Sequence, residues 1–262
     1  MNDILNKTSD DMLVQVWDKY WHSGNRNILA EMKFNLDSHQ GRITFDLLGE
    51  FKKGDKILEA GSGLGNWVFL FEKIGFHVTG VDLSPISLKI AGEYAHKNNL
   101  NPDFILADIR SIPVQDNYFN VAVSYGVIEH FKDPENALKE MHRVLKPGGA
   151  CLITVPNPFS FHRLIGRHIL DFTKSYKLGY VGYEAAYTPK GLSMLISNAG
   201  FTNIKSGPLS DGMGMLFGEF WGFIPLIGKK VKRSLAKFAS LIESKQNIIG
   251  GGSFAIGYKT KP

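Results

Sequence analysis

The chain has 262 residues, enough for one sizeable α/β domain with elaborations but cramped for two. Hydrophobic residues make up 44% and charged residues 21%, a balance that excludes a disordered chain. The net charge of +5 is spread among intermixed acids and bases over most of the length, and the single cysteine, Cys151, excludes an intrachain disulfide and a cysteine-built metal site.

The stretch up to Gly49 is helical in pattern and carries Trp17, Tyr20, Trp21 and His22. The opening Met1-Asn2-Asp3-Ile4-Leu5-Asn6-Lys7 lacks the apolar run and small-residue cleavage pattern of a signal peptide. With the lone cysteine this favours a reducing, cytoplasmic setting.

From Lys56 to Lys146 short apolar runs alternate with helical patterns, the rhythm of a parallel sheet covered on both faces. The patterns predict strands at 56–60, 77–81, 103–107, 120–125 and 150–155, with helices at 64–75, 85–98 and 134–145. Ser84-Pro85 supplies an N-cap and an N1 proline, and Lys146-Pro147-Gly148-Gly149 stops the third helix. After Pro156 the rhythm breaks, and 157–187 reads as an insertion rich in aromatics, His and Arg. Thr188-Pro189 then starts a helix to Asn198, Phe201 to Gly207 reads as a sixth strand, and Ser253 to Lys259 reads as a seventh.

The first strand runs into Ile57-Leu58-Glu59-Ala60-Gly61-Ser62-Gly63-Leu64-Gly65, a buried strand, an acid and three alternating glycines opening a helix. Glycine there permits positive φ and lets a ligand approach the main chain without meeting a Cβ. The dinucleotide fingerprint is G-x-G-x-x-G/A, but position 66 is Asn and an acid stands two residues before the first glycine. Asp82 ends the second strand, 17 residues beyond Gly65, where an acid can accept both hydrogens of a ribose diol or cap a helix, a role that Ser84 already suits. Asp108 follows the third strand, again as a ligand acceptor or a cap. Strand four leads into Gly126-Val127-Ile128-Glu129-His130-Phe131.

Over roughly residues 40 to 157 these motifs resemble the class I S-adenosylmethionine-dependent methyltransferases, in the subgroup related to the ubiquinone and menaquinone biosynthesis methyltransferases. The resemblance implies an α/β fold with a Rossmann-like, seven-stranded, mostly parallel sheet, helices on both faces and the last strand antiparallel at the sheet edge. It implies a single domain over 1–262, with an N-terminal helical lid at 1–50, a cofactor-binding core at 51–156, and acceptor-side insertions at 157–187 and 208–252. The implied cofactor is S-adenosyl-L-methionine, leaving as S-adenosyl-L-homocysteine. In such a site Gly61, Ser62, Gly63 and Gly65 pass under the methionine part and Glu59 helps hold its amino-acid end. Asp82, with Leu83 beside it, takes the adenosine hydroxyls, Asp108 accepts from the adenine amino group, Ile109 packs on the ring, and Tyr125 and Gly126 complete the cofactor site.

Methyl transfer from a sulfonium is an in-line displacement that alignment alone can accelerate. If the acceptor loses a proton, His130 after strand four is the candidate recipient, with a hydrogen-bonded structural histidine as the competing reading. Tyr20, His22, Glu129, His162 and Trp221 are candidate acceptor contacts, whereas Trp17 and Cys151 are expected to be packing. The eight histidines lack an H-x-x-x-H arrangement, so no metal is expected.

The excursion before the last strand is apolar and aromatic from Gly214 to Ile227, with Glu219 and Pro225 interrupting it, and then basic at Lys229, Lys230, Lys232, Arg233 and Lys237. Val231, Leu235, Phe238 and Ile242 recur at helical spacing. Residues 214–242 therefore either meet the inner face of an anionic membrane peripherally or pack on the protein. The acceptor expected is a small molecule or a lipid-linked compound, not a nucleic acid. A non-catalytic S-adenosylmethionine-binding or membrane-associated interaction protein and an NAD(P)-dependent oxidoreductase are the alternative readings.

Overall fold

The computed structural model describes residues 9–22, 27–160, 184–209 and 251–261. Three helices come first: α1 (Ser9–His22), α2 (Ile28–Asp37) and α3 (His39–Leu48). The alternating part follows as β1 (Lys56–Ala60), α4 (Asn66–Lys73), β2 (His77–Asp82), α5 (Pro85–Lys97), β3 (Asp103–Leu106) and β4 (Phe119–Tyr125). A 3₁₀ turn at Ile128–His130 leads to α6 (Pro134–Val144) and β5 (Leu145–Pro156), and then come α7 (Pro189–Asn198), β6 (Thr202–Leu209) and β7 (Gly252–Tyr258). The expected insertions fall largely outside the described residues, as does the 214–242 segment.

The seven strands form one sheet in the order β3-β2-β1-β4-β5-β7-β6, with β1 to β5 parallel and β7 antiparallel to both its neighbours. The last strand is therefore not at the edge but between β5 and β6, and β6 is the edge strand. Its composition fits an inner place, since Ser253 to Gly257 are all buried and Phe254 and Ile256 enter one core while Ala255 enters the other. The same period of two runs through the sheet: Ile57, Val121 and Leu152 join Trp67, Phe69 and Phe71 on one face, and Leu58, Ala122, Cys151 and Ile153 join Leu138, Met141 and Ile196 on the other.

Local chemistry sets most boundaries. The Ser84 hydroxyl accepts from the Ser87 N–H with Pro85 at N1, and the Thr188 hydroxyl caps α7 with Pro189 at N1. Helix α4 starts at Asn66 rather than at 64, because Gly65 stands in the left-handed region at φ +78°. Strand β5 starts five residues before the expected 150: Leu145 pairs with Phe119, Ala150 pairs with Val121, and the residues between form an irregularity that takes in Pro147 and Gly148 at φ +78°.

At the amino ends of the parallel strands Lys259 closes the C-terminus of α6. Its ammonium donates to the carbonyls of His142 (2.9 Å) and Arg143 (3.3 Å) and to Asn117 Oδ1 (2.8 Å). Lys259→Met is expected to lower the unfolding free energy by about 1–2 kcal/mol, measured in urea, without changing ligand affinity at the opposite end of the sheet.

Candidate active site

The strand order reverses between β1 and β4, and in an open α/β sheet a ligand sits outside the carboxyl ends at such a point. The loops after β1, β2 and β4 meet there. A Cβ on Gly61, at φ +83°, would lie 2.4 Å from Val127 Cγ2, so the glycine is what lets the loops after β1 and β4 touch. The N–H groups of Gly61 and Ser62 both donate to the Val81 carbonyl, at 2.7 and 3.0 Å. The Gly65 N–H donates to the Ser62 carbonyl at 2.8 Å, and the Gly63 N–H donates to Asp82 Oδ2 at 2.7 Å.

Asp82 is buried and bonded on both carboxylate oxygens. Besides Gly63 it accepts on Oδ1 from the Ser84 N–H at 2.9 Å and the Ser87 hydroxyl at 3.1 Å, so one carboxylate ties the glycine loop to the start of α5. Burial pushes its pKa above the usual aspartate range, against those three hydrogen bonds, and the nearby Asp18 charge adds to the rise. Asp18 reaches over from α1 and accepts from the Ser84 hydroxyl at 2.5 Å.

Glu59 lies beneath α4, its Oε2 accepting from the Val68 N–H at 3.0 Å. The N-cap residue Gly65 has no side chain to do this, and the acid from β1 caps the helix in its place. Burial holds its carboxyl well above the ordinary glutamate range, opposed by the Val68 bond and reinforced by the Asp82 charge. Ser62 is buried too, its Oγ lying where a Cβ on Gly80 would stand 2.8 Å away.

Tyr125 stacks on Trp67 at 4.8 Å and lies 3.0 Å from Thr44 Oγ1. Thr44 gives its own hydroxyl hydrogen to the Gln40 carbonyl at 2.8 Å, so Tyr125 is the donor of the pair. Gln40 Oε1 accepts from Thr154 on β5, which locks α3 across the ends of β4 and β5. Burial raises the Tyr125 phenol well above its ordinary value. Gly126, at φ +67°, donates its N–H to the Thr154 carbonyl at 2.9 Å.

Asp108 is paired rather than open: Arg110 Nε lies 3.0 and 2.9 Å from its two oxygens and Nη2 lies 2.5 Å from one of them, with the guanidinium 4.8 Å over the Phe131 ring. Ile109 is 2% exposed and packs with Leu58, Val81 and Ala122, while Leu83 is half-buried beside Asp82. Glu129 is buried, and its carbonyl accepts from the Ala185 N–H at 2.8 Å. His130 ends the 3₁₀ turn, half-buried, with the Trp17 ring edge-on at 5.0 Å. Tyr20 lies 5.0 Å from Trp21 and 5.5 Å from Trp17. His22 closes α1, and His162 and Trp221 lie outside the described residues.

The structure thus gathers the predicted loop residues, Asp82 and His130 around one crevice. It adds groups outside the predicted site set: Asp18, Trp17 and Trp21 on α1, Gln40 and Thr44 on α3, and Arg110. The spacing of Trp17, Tyr20 and Trp21 puts them on one helix face, but that pattern is the same for packing as for lining a site.

The donor chemistry of the crevice decides which ligand fits. A pyrophosphate needs free N–H groups at a glycine loop and a helix N-terminus. Here the N–H groups of Gly61, Ser62, Gly63 and Gly65 are already satisfied, and a carboxylate occupies the Val68 N–H in the first turn of α4. Asp18 and Asp82 instead present acceptor oxygens beside the loop, which suits a ligand with hydroxyl and amino donors such as S-adenosylmethionine.

Glu59 and Asp82 set a pH dependence. The folded chain keeps a proton on Glu59 that the unfolded chain releases above about pH 4.3, so this stabilisation is full below that pH and is lost as pH rises toward the folded-state value. In Glu59→Gln the amide oxygen still accepts from Val68, and the decline should flatten, with the residual slope due to Asp82; Glu59→Ala should lose about 1–3 kcal/mol at the acid end, a deficit that narrows as pH rises. Urea unfolding between about pH 4.5 and 8 tests both, and an unchanged slope in Glu59→Gln would refute the assignment.

Residues 58–153 match the family described as Methyltransferase domain. The chain is 30% identical over 220 residues to the demethylmenaquinone methyltransferase of Listeria monocytogenes, covering 77% of this chain and 92% of that one. Among solved structures it resembles a Thermotoga maritima S-adenosylmethionine-dependent methyltransferase described as a possible histamine N-methyltransferase, with a TM-score of 0.60, 17% identity and coverage of 95% of this chain and 100% of that one. It also resembles Haemonchus contortus phosphoethanolamine N-methyltransferase 2 in complex with phosphomonomethylethanolamine and S-adenosylhomocysteine, with a TM-score of 0.59, 18% identity and coverage of 94% of this chain and 61% of that one. Methyl transfer therefore prevails over hydride transfer, and the chain belongs to the S-adenosylmethionine-dependent methyltransferases.

Proposed function

We propose that this methyltransferase acts on a small-molecule or lipid-linked acceptor, and that the acceptor carries a flat ring of the quinol type. The observation that carries this reading is the pairing of His130 with the Trp17 ring at the mouth of the loop after β4, an aromatic wall beside a group able to take a proton. The likeness to a demethylmenaquinone methyltransferase over most of both chains supports it.

In this reading the glycine loop and Asp82 hold the donor, with Asp18 beside the Ser84 end of the crevice. When bound, S-adenosylmethionine supplies an activated methyl group for in-line displacement, the electron pair of the broken C–S bond staying on sulfur. His130 takes the proton that the acceptor gives up, and the indole of Trp17 holds the imidazole and the acceptor ring in place. Glu129 and Tyr125 fix the backbone of that loop rather than touch the reacting atoms. Asp108 holds Arg110 over Phe131 and borders the adenine end. Tyr20, His22, His162 and Trp221 remain acceptor-side candidates. Residues 214–242 would seat a lipid-linked acceptor at the inner face of a membrane; no helix among the described residues is long and apolar enough to cross one.

The test is a labelled-methyl assay with demethylmenaquinol and with cell extract separated into lipid, small-molecule and macromolecular fractions. Label should enter the lipid fraction and the quinol. His130→Ala should lower kcat about 100-fold while the donor Kd stays within about twofold. Label in a phosphobase alone, or in macromolecules alone, would sink this acceptor class.

A further inference from the structure

The aromatic face of α1 touches each loop that borders the crevice. Trp21 packs on Gly63, where a Cβ would come within 2.7 Å of its Cζ2. Trp17 stacks on Trp21 with ring centroids 6.3 Å apart and meets His130 edge-on at 5.0 Å. Between them, Asp18 is bonded to Ser84 at the head of α5. Two indoles therefore form a continuous wall from the glycine loop to the end of the β4 loop, and a group bound at the point of strand reversal would lie against it.

The two forms of the cofactor differ in charge at the atom that matters. The donor has a sulfonium, positive at sulfur, and the product has a neutral thioether. Indole has the aromatic face that attracts cations best, within about 6 Å of the ring centroid, and it gains nothing comparable from a neutral sulfur. The carboxylates of the crevice do not make this distinction at the sulfur. Glu59 is turned into α4, Asp82 is held by Gly63, Ser84 and Ser87, and Asp18 is bonded to Ser84 at the head of α5.

We propose that Trp17 and Trp21 form a cation-selective wall that favours the charged donor over its neutral product, so that the product is released after each transfer. The proposal rests on the reading that this crevice holds the donor. In that arrangement Gly63 serves a second purpose: any side chain there would push the Trp21 ring off the loop.

Calorimetric titration of the full chain with S-adenosylmethionine and with S-adenosylhomocysteine tests this in the wild type, Trp17→Leu, Trp21→Leu and Trp21→Phe. Each leucine variant should bind S-adenosylmethionine about 3- to 10-fold more weakly and S-adenosylhomocysteine within about twofold of wild type, with Trp21→Phe between. Equal weakening of both ligands, or no weakening of either, would overturn the proposal and leave the crevice as the donor site. Asp82→Asn separates the underlying reading: unchanged affinity for both ligands would remove the donor from this crevice altogether. Circular dichroism checks folding, and where a leucine variant does not fold, the ratio of the two affinities in Trp21→Phe decides, an unchanged ratio counting against the wall.

Discussion

The carboxylate of Asp82 is the constraint on which the rest of the site depends. A single buried group accepts from a glycine-loop N–H, from the first N–H of the turn into α5 and from a hydroxyl inside that helix, so the loop after β1 and the helix after β2 cannot move independently. An ionised carboxylate at this depth is unfavourable by itself, and three donors converging on it offset part of the desolvation. The geometry of the glycine loop is thus set from the side by an acid as well as by its own positive φ values.

That arrangement also makes this glycine-rich strand-to-helix turn a poor phosphate site. Anion sites at such turns work because N–H groups and the helix dipole are unsatisfied. In this protein Asp82 takes the Gly63 N–H and Glu59 the Val68 N–H from inside, and main-chain carbonyls take those of Gly61, Ser62 and Gly65. Protein carboxyl groups stand where a pyrophosphate would otherwise be drawn, and they leave the loop suited to a ligand that brings hydroxyl and amine donors instead.

Much of this was legible in the sequence, for identifiable reasons. The buried parallel strands and the capped helices follow from apolar runs bounded by Ser84-Pro85 and Thr188-Pro189, and these lie within a residue or two of their expected positions. The start of β5 was not legible, because Pro147, Gly148 and Gly149 signal a turn whether they end a strand or bulge within one. The place of β7 was hidden as well: strand patterning says which residues are buried but not which neighbours they pair with. At the site the glycines and acids stood out by spacing, but the cap that Glu59 provides to α4 is a contact between β1 and a helix turn nine residues on, and no local pattern announces it. Trp17 was expected to pack, and it does pack, but on His130 and Trp21 at the mouth of the crevice.

Rigid and adaptable parts of the site follow from the same contacts. The floor is tied by backbone bonds: Gly61 and Ser62 to Val81, Gly126 to Thr154, and Tyr125 through Thr44 to Gln40. The roof is different, because the contacts of α1 over the crevice are made by side chains: the rings of Trp17 and Trp21, and the bond from Ser84 to Asp18. Ring contacts are broad and tolerate sliding, whereas backbone bonds with fixed donors do not. A donor bound beneath α1, as proposed, would meet a floor tied by backbone bonds and a roof made of side chains.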